Sequence, residues 1–276
     1  MLVYGKNFFD LASTSQALTT TVQTGAGTSM SRLGWADLGL ATHNDMVANA
    51  SMIASLDPSI PVIADADTGY GGPMMVTRTV QAYARAGVAG LHIEDQVQEK
   101  RCGHLMGKQL VDRDVYYSRL RAAVAARDDM GSDMVIIDRT DARAGEGFDE
   151  AVARLKGAVE CGVDMLFLEA LKSHEEAQKA AEIFRGTPML LNMVPGGVTP
   201  DTDVQKARDL GFKLIIFPTV CLESVVKHMA EDLKALKETG MTGSGLHGVR
   251  KCFEICGLRE AQEIDQRAGG KAFSTV

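Results

Sequence analysis

Two rhythms of apolar and polar residues alternate along this chain. From about residue 60, short and nearly continuous apolar runs rich in β-branched residues are separated by longer stretches. In those stretches apolar residues recur every three or four positions. The first rhythm reads as buried strand and the second as amphipathic helix. The predicted strands are Pro61–Ala64, Gly90–Glu94, Met134–Asp138, Met165–Glu169, Met189–Asn192 and Lys213–Phe217, with an earlier one at Thr20–Thr24. The predicted helices between them are Asn44–Leu56, Val76–Ala86, Tyr116–Asp128, Asp149–Cys161, His174–Phe184 and Thr202–Leu210. Strands that are apolar throughout, each followed by a helix, imply a parallel sheet covered by helices.

A weak repeat runs through this pattern. Ala86–Glu94 resembles Cys161–Glu169, and Leu210–Phe217 is a third copy. Each reads as a helix closed by glycine, a tight turn and a strand. Six or more such units point to a (β/α)8 barrel rather than an open sheet. The polar residues agree: Asp65, Asp67, Glu94, Arg139, Asp141, Glu169 and Asn192 fall at or just past strand C-terminal ends, which in a barrel converge on one mouth. Gly69–Gly72 is glycine-rich but lacks the spacing of a dinucleotide fingerprint, so it reads as a turn that lets backbone approach a ligand or metal shell. The expectation is one barrel domain over residues 1–276, with 222–276 as a C-terminal helical extension in a subunit interface. There Leu222–Thr239 is a long helix, Gly240, Gly243, Gly245 and Gly248 make a flexible connection, Val249–Gln266 is a further helical segment, and the tail from Ala268 is loose. A barrel needs one helix after its last strand, so the surplus helices are expected to pack on a neighbouring subunit.

Composition narrows the classes. The 276 residues are 45% hydrophobic and 24% charged, as in ordinary soluble proteins. No apolar run reaches a membrane span, and Lys6, Asp10 and several Thr and Ser interrupt the start, unlike a secretory signal. A net charge of −7 with no basic run argues against a nucleic-acid surface. Five cysteines, an odd number without framework spacing, suggest reduced thiols in an intracellular, cytoplasmic setting. Cys161, Cys221, Cys252 and Cys256 sit in helical patterns and read as small core residues.

The chemistry concentrates in Lys100-Arg101-Cys102-Gly103-His104, just past His92-Ile93-Glu94-Asp95. Cations within four residues favour the thiolate of Cys102; the alternative, a buried or incidental cysteine, is disfavoured because a cysteine flanked by charges and glycine is seldom core. Asp65 and Asp67 sit at a strand end, one toward the mouth and the other turned away. With Glu94 they suit an oxygen-ligand cation that keeps several waters, Mg2+ or Mn2+; a solvated turn or a helix cap is the alternative. Arg139 either grips an anionic substrate or forms a structural ion pair with Asp138 or Asp141. Glu169 is a base or an orienting partner. His104 tunes Cys102 or binds a carboxylate. His92 is expected to face a helix, and His43, His174, His228 and His247 to lie at the surface.

These motifs, with Thr24-Gly25-Ala26-Gly27 and Arg139-Thr140-Asp141, resemble the isocitrate lyase/phosphoenolpyruvate mutase superfamily from about Thr24 to the C-terminus. The Lys-Arg-Cys-Gly-His loop resembles its carbon–carbon lyase branch, and within that branch the fungal dimethylmalate lyases and the oxaloacetate acetylhydrolases. The resemblance implies a (β/α)8 barrel whose eighth helix is swapped between subunits, in a tetramer built as a dimer of dimers. It implies that Asp65 contacts Mg2+, with Asp37, Asp67 and Glu94 holding its waters. Amides around Thr24, Gly25 and Ala26 would grip the substrate with Arg139. Cys102, on a closing loop, would be the general acid, and Lys100, Gly103, His104, Glu169 and Asn192 would complete the site. The implied substrate is a small dicarboxylate or tricarboxylate, a 2-hydroxy acid of the dimethylmalate or methylisocitrate type cleaved to pyruvate and a carboxylic acid. The alternatives are hydrolysis of oxaloacetate to oxalate and acetate, or a repurposed member without lyase activity. The chain departs from the pattern at Pro195, where these lyases carry Glu near the substrate's distal end, and at Asn7–Ser13, which stands for a Pro-Gly-x-Tyr-Asp segment.

Overall fold

In the computed structural model the described residues are 20–242 and 248–274; Asn7–Ser13, Gly243, Gly245 and His247 lie outside them. Among these residues, Thr20–Val220 form one compact unit, and those from Cys221 onward belong to a second.

The first unit is a nearly closed barrel of seven parallel strands paired in sequence order. They are β1 (Thr21–Gln23), β2 (Val62–Asp65), β3 (Gly90–Glu94), β4 (Val135–Thr140), β5 (Met165–Leu168), β6 (Met189–Asn192) and β7 (Leu214–Ile216). The helices between them are α1 (His43–Leu56), α2 (Pro73–Arg85), α3 (Arg113–Asp129), α4 (Phe148–Glu160), α5 (His174–Ile183) and α6 (Val204–Asp209). This is the fold read from the sequence, a (β/α)8-type barrel; its eighth strand is not among the described residues. Each predicted strand is present within two residues of its expected bounds. β4 runs on through Arg139 and Thr140 because Glu94 and Arg139 pair in the β3–β4 register.

Local chemistry starts the helices where it should. Thr42 and Asp45 form a capping box at α1, Pro73 occupies the first turn of α2, and Ser173 and Asp203 accept the Glu176 and Lys206 amides at α5 and α6. The repeated glycines Gly87, Gly162 and Gly211 all have positive φ. They end a helix and turn the chain into the next strand.

Strand alternation sorts the side chains into two cores. Leu91, Ile93, Ile136, Leu166 and Leu191 pack outward against the helices, with Val80, Tyr83, Tyr116 and Leu155. Ile63, Ile137, Phe167, Leu190 and Ile216 fill the barrel interior. Each such fully buried side chain contributes roughly 1.5–3 kcal/mol. The interior plug is the floor on which the polar residues one step further along each strand stand.

The second unit holds α7 (Leu222–Thr239), α8 (Gly248–Ile255) and α9 (Leu258–Arg267). The segment Val249–Gln266, expected as one helical run, is broken at Gly257, whose φ is +93°. No residue of these three helices is buried, and α7 exposes Val226, Met229, Leu233 and Leu236 along one stripe. Cys221, Cys252 and Cys256 are therefore exposed rather than core, and Cys161 is half-buried; all five cysteines are free. Among the described residues no helix is long and apolar enough to cross a membrane.

Candidate active site

One step past the apolar plug, at the C-terminal ends of the strands, polar side chains ring a pocket enclosing about 550 Å³ of space open to solvent. Of the residues singled out from the sequence, Thr24, Gly25, Ala26, Asp37, Asp65, Cys102, Gly103, His104, Arg139, Glu169 and Asn192 line it. Lys100, Asp67 and Glu94 lie buried as the partners of this lining.

Asp65 ends β2 and lines the pocket, whereas Asp67, past the strand end at φ +46°, does not line it and pairs with Lys100 instead. The Asp67 amide donates to Asp65 Oδ1 at 2.8 Å, and the Gly25 amide to Asp65 Oδ2 at 2.9 Å. A Cβ on Gly25 would stand 2.6 Å from Asp65 Oδ2, so only glycine allows this approach. Burial alone would raise the Asp65 pKa. His92, Lys100 and Arg139 outweigh it and bring it down to about 2, so this carboxylate is ionised. Lys100 Nζ pairs with Asp37 at 2.7 Å and also with Asp67. Burial would lower that ammonium, but Asp67, Glu94, Asp65 and Asp37 hold it well above its usual range. Burial pushes Glu94 up, against the pull of Arg139 and Lys100. Gln96 Nε2 donates to it at 2.9 Å.

Arg139 reconciles its two readings. Its guanidinium pairs with Asp141 (Nε to Oδ2, 3.0 Å), Glu94 (3.4 Å) and Glu169 (3.6 Å), lies over the Phe167 ring, and still faces the pocket. Asp138 is not its partner. That carboxyl points to the helix side and accepts from the Tyr116 hydroxyl. Glu169 Oε2 accepts from Asn192 Nδ2 at 3.0 Å, which leaves Asn192 Oδ1 without a hydrogen-bond partner in the pocket wall; Thr219 Oγ1 is likewise unpaired.

The Cys102 loop is pressed onto this mouth. The Cys102 amide donates to Asp37 O at 3.0 Å. A Cβ on Gly103 would come within 2.4 Å of Arg139 Nη2. The thiolate expected from the neighbouring cations is not favoured. Burial pushes the Cys102 thiol up, Asp37 adds to the rise, and the His104 amide, Arg139 and Lys100 pull the other way without prevailing. Lys100 and Arg139 are already matched by carboxylates, and Arg101 turns to Met106 O, so little positive charge is left for the sulfur. A protonated thiol is an acid, not a nucleophile.

Two histidines depart from expectation. His92 shares the parity of Glu94 and faces the pocket, with Nδ1 3.4 Å from Asp65 Oδ1 and its ring edge-on to Phe167. The period-2 pattern of β3 carried that signal. His43 is buried edge-on to Tyr70 rather than at the surface. A Cβ on Gly69 would stand 2.4 Å from Val76 Cγ2 of α2, and Gly69, Gly71 and Gly72 do not line the pocket. Asp67, Tyr70 and Ala170 adopt positive φ just past β2 and β5, strain of the kind that concentrates around functional mouths. Lys108, Phe167, Val194 and Pro218 were not anticipated; Phe167, Val194 and Pro218 line the pocket.

The family model for phosphoenolpyruvate phosphomutase matches residues 6–237. The chain belongs to the phosphoenolpyruvate mutase/isocitrate lyase superfamily. A 2,3-dimethylmalate lyase from Eubacterium barkeri is 38% identical over 246 residues, 88% of this chain and 83% of that protein. Among the superfamily's solved structures, a 2,3-dimethylmalate lyase superposes with a TM-score of 0.94 at 48% identity, covering 99% of this chain and 91% of the other. An oxaloacetate acetylhydrolase in complex with 3,3-difluorooxalacetate gives 0.92 at 45%, covering 98% and 91%. Within the superfamily the chain is a carbon–carbon lyase. The Eubacterium relative is bacterial, so the fungal likeness gains no support from it.

Superfamily members of this kind are expected to use a divalent cation. Among the described residues no group of three His, Cys, Asp or Glu side chains is placed to hold a metal ion. The donor set nevertheless fits a water-rich ion. Asp65 and Asp37 present carboxylates to the pocket, and Mg2+ characteristically uses one or two carboxylates and keeps several waters.

Proposed function

We propose that this lyase cleaves a 2-hydroxy dicarboxylate of the 2,3-dimethylmalate or 2-methylisocitrate type to pyruvate and a carboxylic acid. The observation that carries the reading is the juxtaposition in one pocket of an ionised carboxylate, a protonated thiol and an arginine, at Asp65, Cys102 and Arg139. Mg2+, or Mn2+ in its place, held through Asp65 with Asp37, Asp67 and Glu94 around it, would supply Lewis-acid polarisation of the substrate's 2-oxygen.

The chain's own residues divide the remaining work. Arg139 binds a substrate carboxylate, its orientation fixed by Asp141. Asn192 has its Nδ2 committed to Glu169, so its free Oδ1 accepts from a substrate hydroxyl. His104 and the Ala26 backbone flank the bound acid. When the hydroxyl proton leaves, C2 becomes the carbonyl carbon of the 2-oxo acid, and the electron pair of the C2–C3 bond stays on C3. The Cys102 thiol delivers a proton to that carbon, which needs the acid form that burial maintains.

The likeness to oxaloacetate acetylhydrolase favours a second reading, hydrolysis of oxaloacetate to oxalate and acetate. One experiment separates them. Release of the 2-oxo acid is followed with Mg2+ and then with EDTA, as pyruvate from 2,3-dimethylmalate, 2-methylisocitrate and citramalate and as glyoxylate from isocitrate and malate, and oxalate is scored from oxaloacetate. Metal-dependent pyruvate supports the lyase; oxalate alone replaces it with the hydrolase; silence in all arms leaves neither standing.

We further propose a homo-oligomer, formed through the unburied apolar stripe of α7. Leu233→Lys should lower the mass measured by sedimentation, and an unchanged mass would remove α7 from the interface.

A further inference from the structure

The Cys102 loop leaves and rejoins the barrel at a closed stem. Val97 N donates to Gln109 O and Val111 N to Asp95 O, both at 2.9 Å, and Gln96 bridges to Leu110. The stem fixes the loop's ends but not its tip. On one side the tip is tied by Lys100 to Asp37 and Asp67, and by the Cys102 amide to Asp37 O. On the other side the tie is Lys108. Its buried ammonium donates to the Gly103 carbonyl and pairs with Asp141 Oδ1 at 2.9 Å.

Asp141 is also the carboxylate that holds Arg139 Nε at 3.0 Å, and its own amide donates to Asp95 Oδ1 at 2.9 Å. One carboxylate therefore faces two cations, one carried by the loop and one by β4. Lys108 links the residue after the thiol to the group that orients the substrate-binding arginine. We propose that Lys108 is a positioning residue, a latch that holds the Cys102 loop shut over the mouth by bridging Gly103 to Asp141.

The consequences follow from geometry. Gly103 lies against Arg139, Glu169 and Asp141, so the loop can sit this low only while something holds its carbonyl down. Without Lys108 the Gly103 carbonyl loses its charged donor, and Asp141 keeps Arg139 alone. The tip then opens more often, the thiol meets solvent, and its distance to a bound substrate is no longer fixed. The consequence for turnover rests on the reading of Cys102 as proton donor; the latch itself does not.

The test therefore reads the thiol directly. Alkylation by iodoacetamide is followed at each cysteine by peptide mass spectrometry in wild type, Lys108→Met and Lys108→Arg. Losing a charge-assisted hydrogen bond should shift the local opening equilibrium about tenfold or more, so Cys102 in Lys108→Met should label faster by that factor. Cys161, half-buried elsewhere in the barrel, should keep its wild-type rate. Lys108→Arg, which can still bridge the two oxygens, should stay near wild type, and kcat should follow the labelling in inverse order. Unchanged Cys102 labelling in Lys108→Met overturns the latch. Equal acceleration at Cys161 overturns it too, because Lys108 would then support the barrel as a whole. Fast Cys102 labelling in Lys108→Arg as well would show that a cation at position 108 does not hold the loop, with the same result. Faster labelling of Cys102 alone, in a protein that cleaves none of the diacids, leaves the latch standing and sinks the lyase reading instead.

Discussion

Gly103→Ala is a one-methyl test of how closely the thiol loop sits on the substrate-binding arginine. The added Cβ would stand 2.4 Å from Arg139 Nη2, 3.0 Å from Glu169 Cγ and 3.1 Å from Asp141 Oδ1, whereas an ordinary contact is 3.4–4 Å. The shortfall at Arg139 is about 1 Å, and three neighbours surround the methyl, so no single side chain can swing clear. Gly103 is not among the residues with positive φ, so alanine meets no backbone penalty and the whole effect falls on the site. Either the loop rises or the guanidinium shifts by roughly 1 Å, a misplacement that costs on the order of 10²-fold in rate. At 1.36 kcal/mol per factor of ten this is about 2.7 kcal/mol of transition-state stabilisation. The assay is kcat/KM for pyruvate release from the diacid that wild type cleaves, with a thermal melt alongside. The expectation is a loss near that size with little change in melting. Wild-type turnover in Gly103→Ala would refute the reasoning, because the loop could not then occupy this closed position during catalysis.

Three further expectations bear on separate parts of the site. Cys102→Ser replaces the acid with a much weaker one and should lower turnover roughly 10²-fold or more while leaving Mg2+ binding intact; unchanged turnover removes the thiol from the mechanism. Mg2+ should raise the thermal midpoint of wild type by mass action and fail to do so in Asp65→Asn, since the ionised carboxylate in the pocket wall is gone; an undiminished shift would move the ion elsewhere. Asp138 is held well above the usual carboxylate range by burial, with the Asp95 charge adding to the rise, while the Tyr116 hydrogen bond and Arg154 oppose it. The folded state therefore binds this proton more tightly than the unfolded chain. Wild-type stability relative to Asp138→Asn should then fall as pH rises above about 4, the unfolded carboxylate's range, toward the raised folded value. Urea melts from pH 4 to 8 that keep a constant gap between the two proteins would contradict it.

Much of the site was legible because its residue types and their spacing are local facts. The strand ends at Asp65, Glu94, Arg139, Glu169 and Asn192 follow from where each apolar run stops, and a parallel barrel gathers such ends at one mouth. The same period-2 logic, applied to β3, turns His92 inward with Glu94, a signal that was present in the pattern. Cys102 was a different kind of error. Its flanking cations were visible, but the carboxylates that neutralise Lys100 come from Asp37 and Asp67, up to 65 positions from Cys102 in sequence.

Sequence by itself determined the barrel's elements, the caps and glycines that delimit them, and the chemical inventory of the mouth, because each depends on a window of a few residues. Tertiary structure decided which charges cancel, whether the Cys102 sulfur carries a proton, and which side of the loop Lys108 ties down. It also placed three cysteines in the open, Cys252 on α8 and Cys221 and Cys256 at helix ends, where the pattern had suggested a core. Protonation and burial are set by everything within a few ångströms of a group, and in a parallel barrel those neighbours come from strands far apart in the chain.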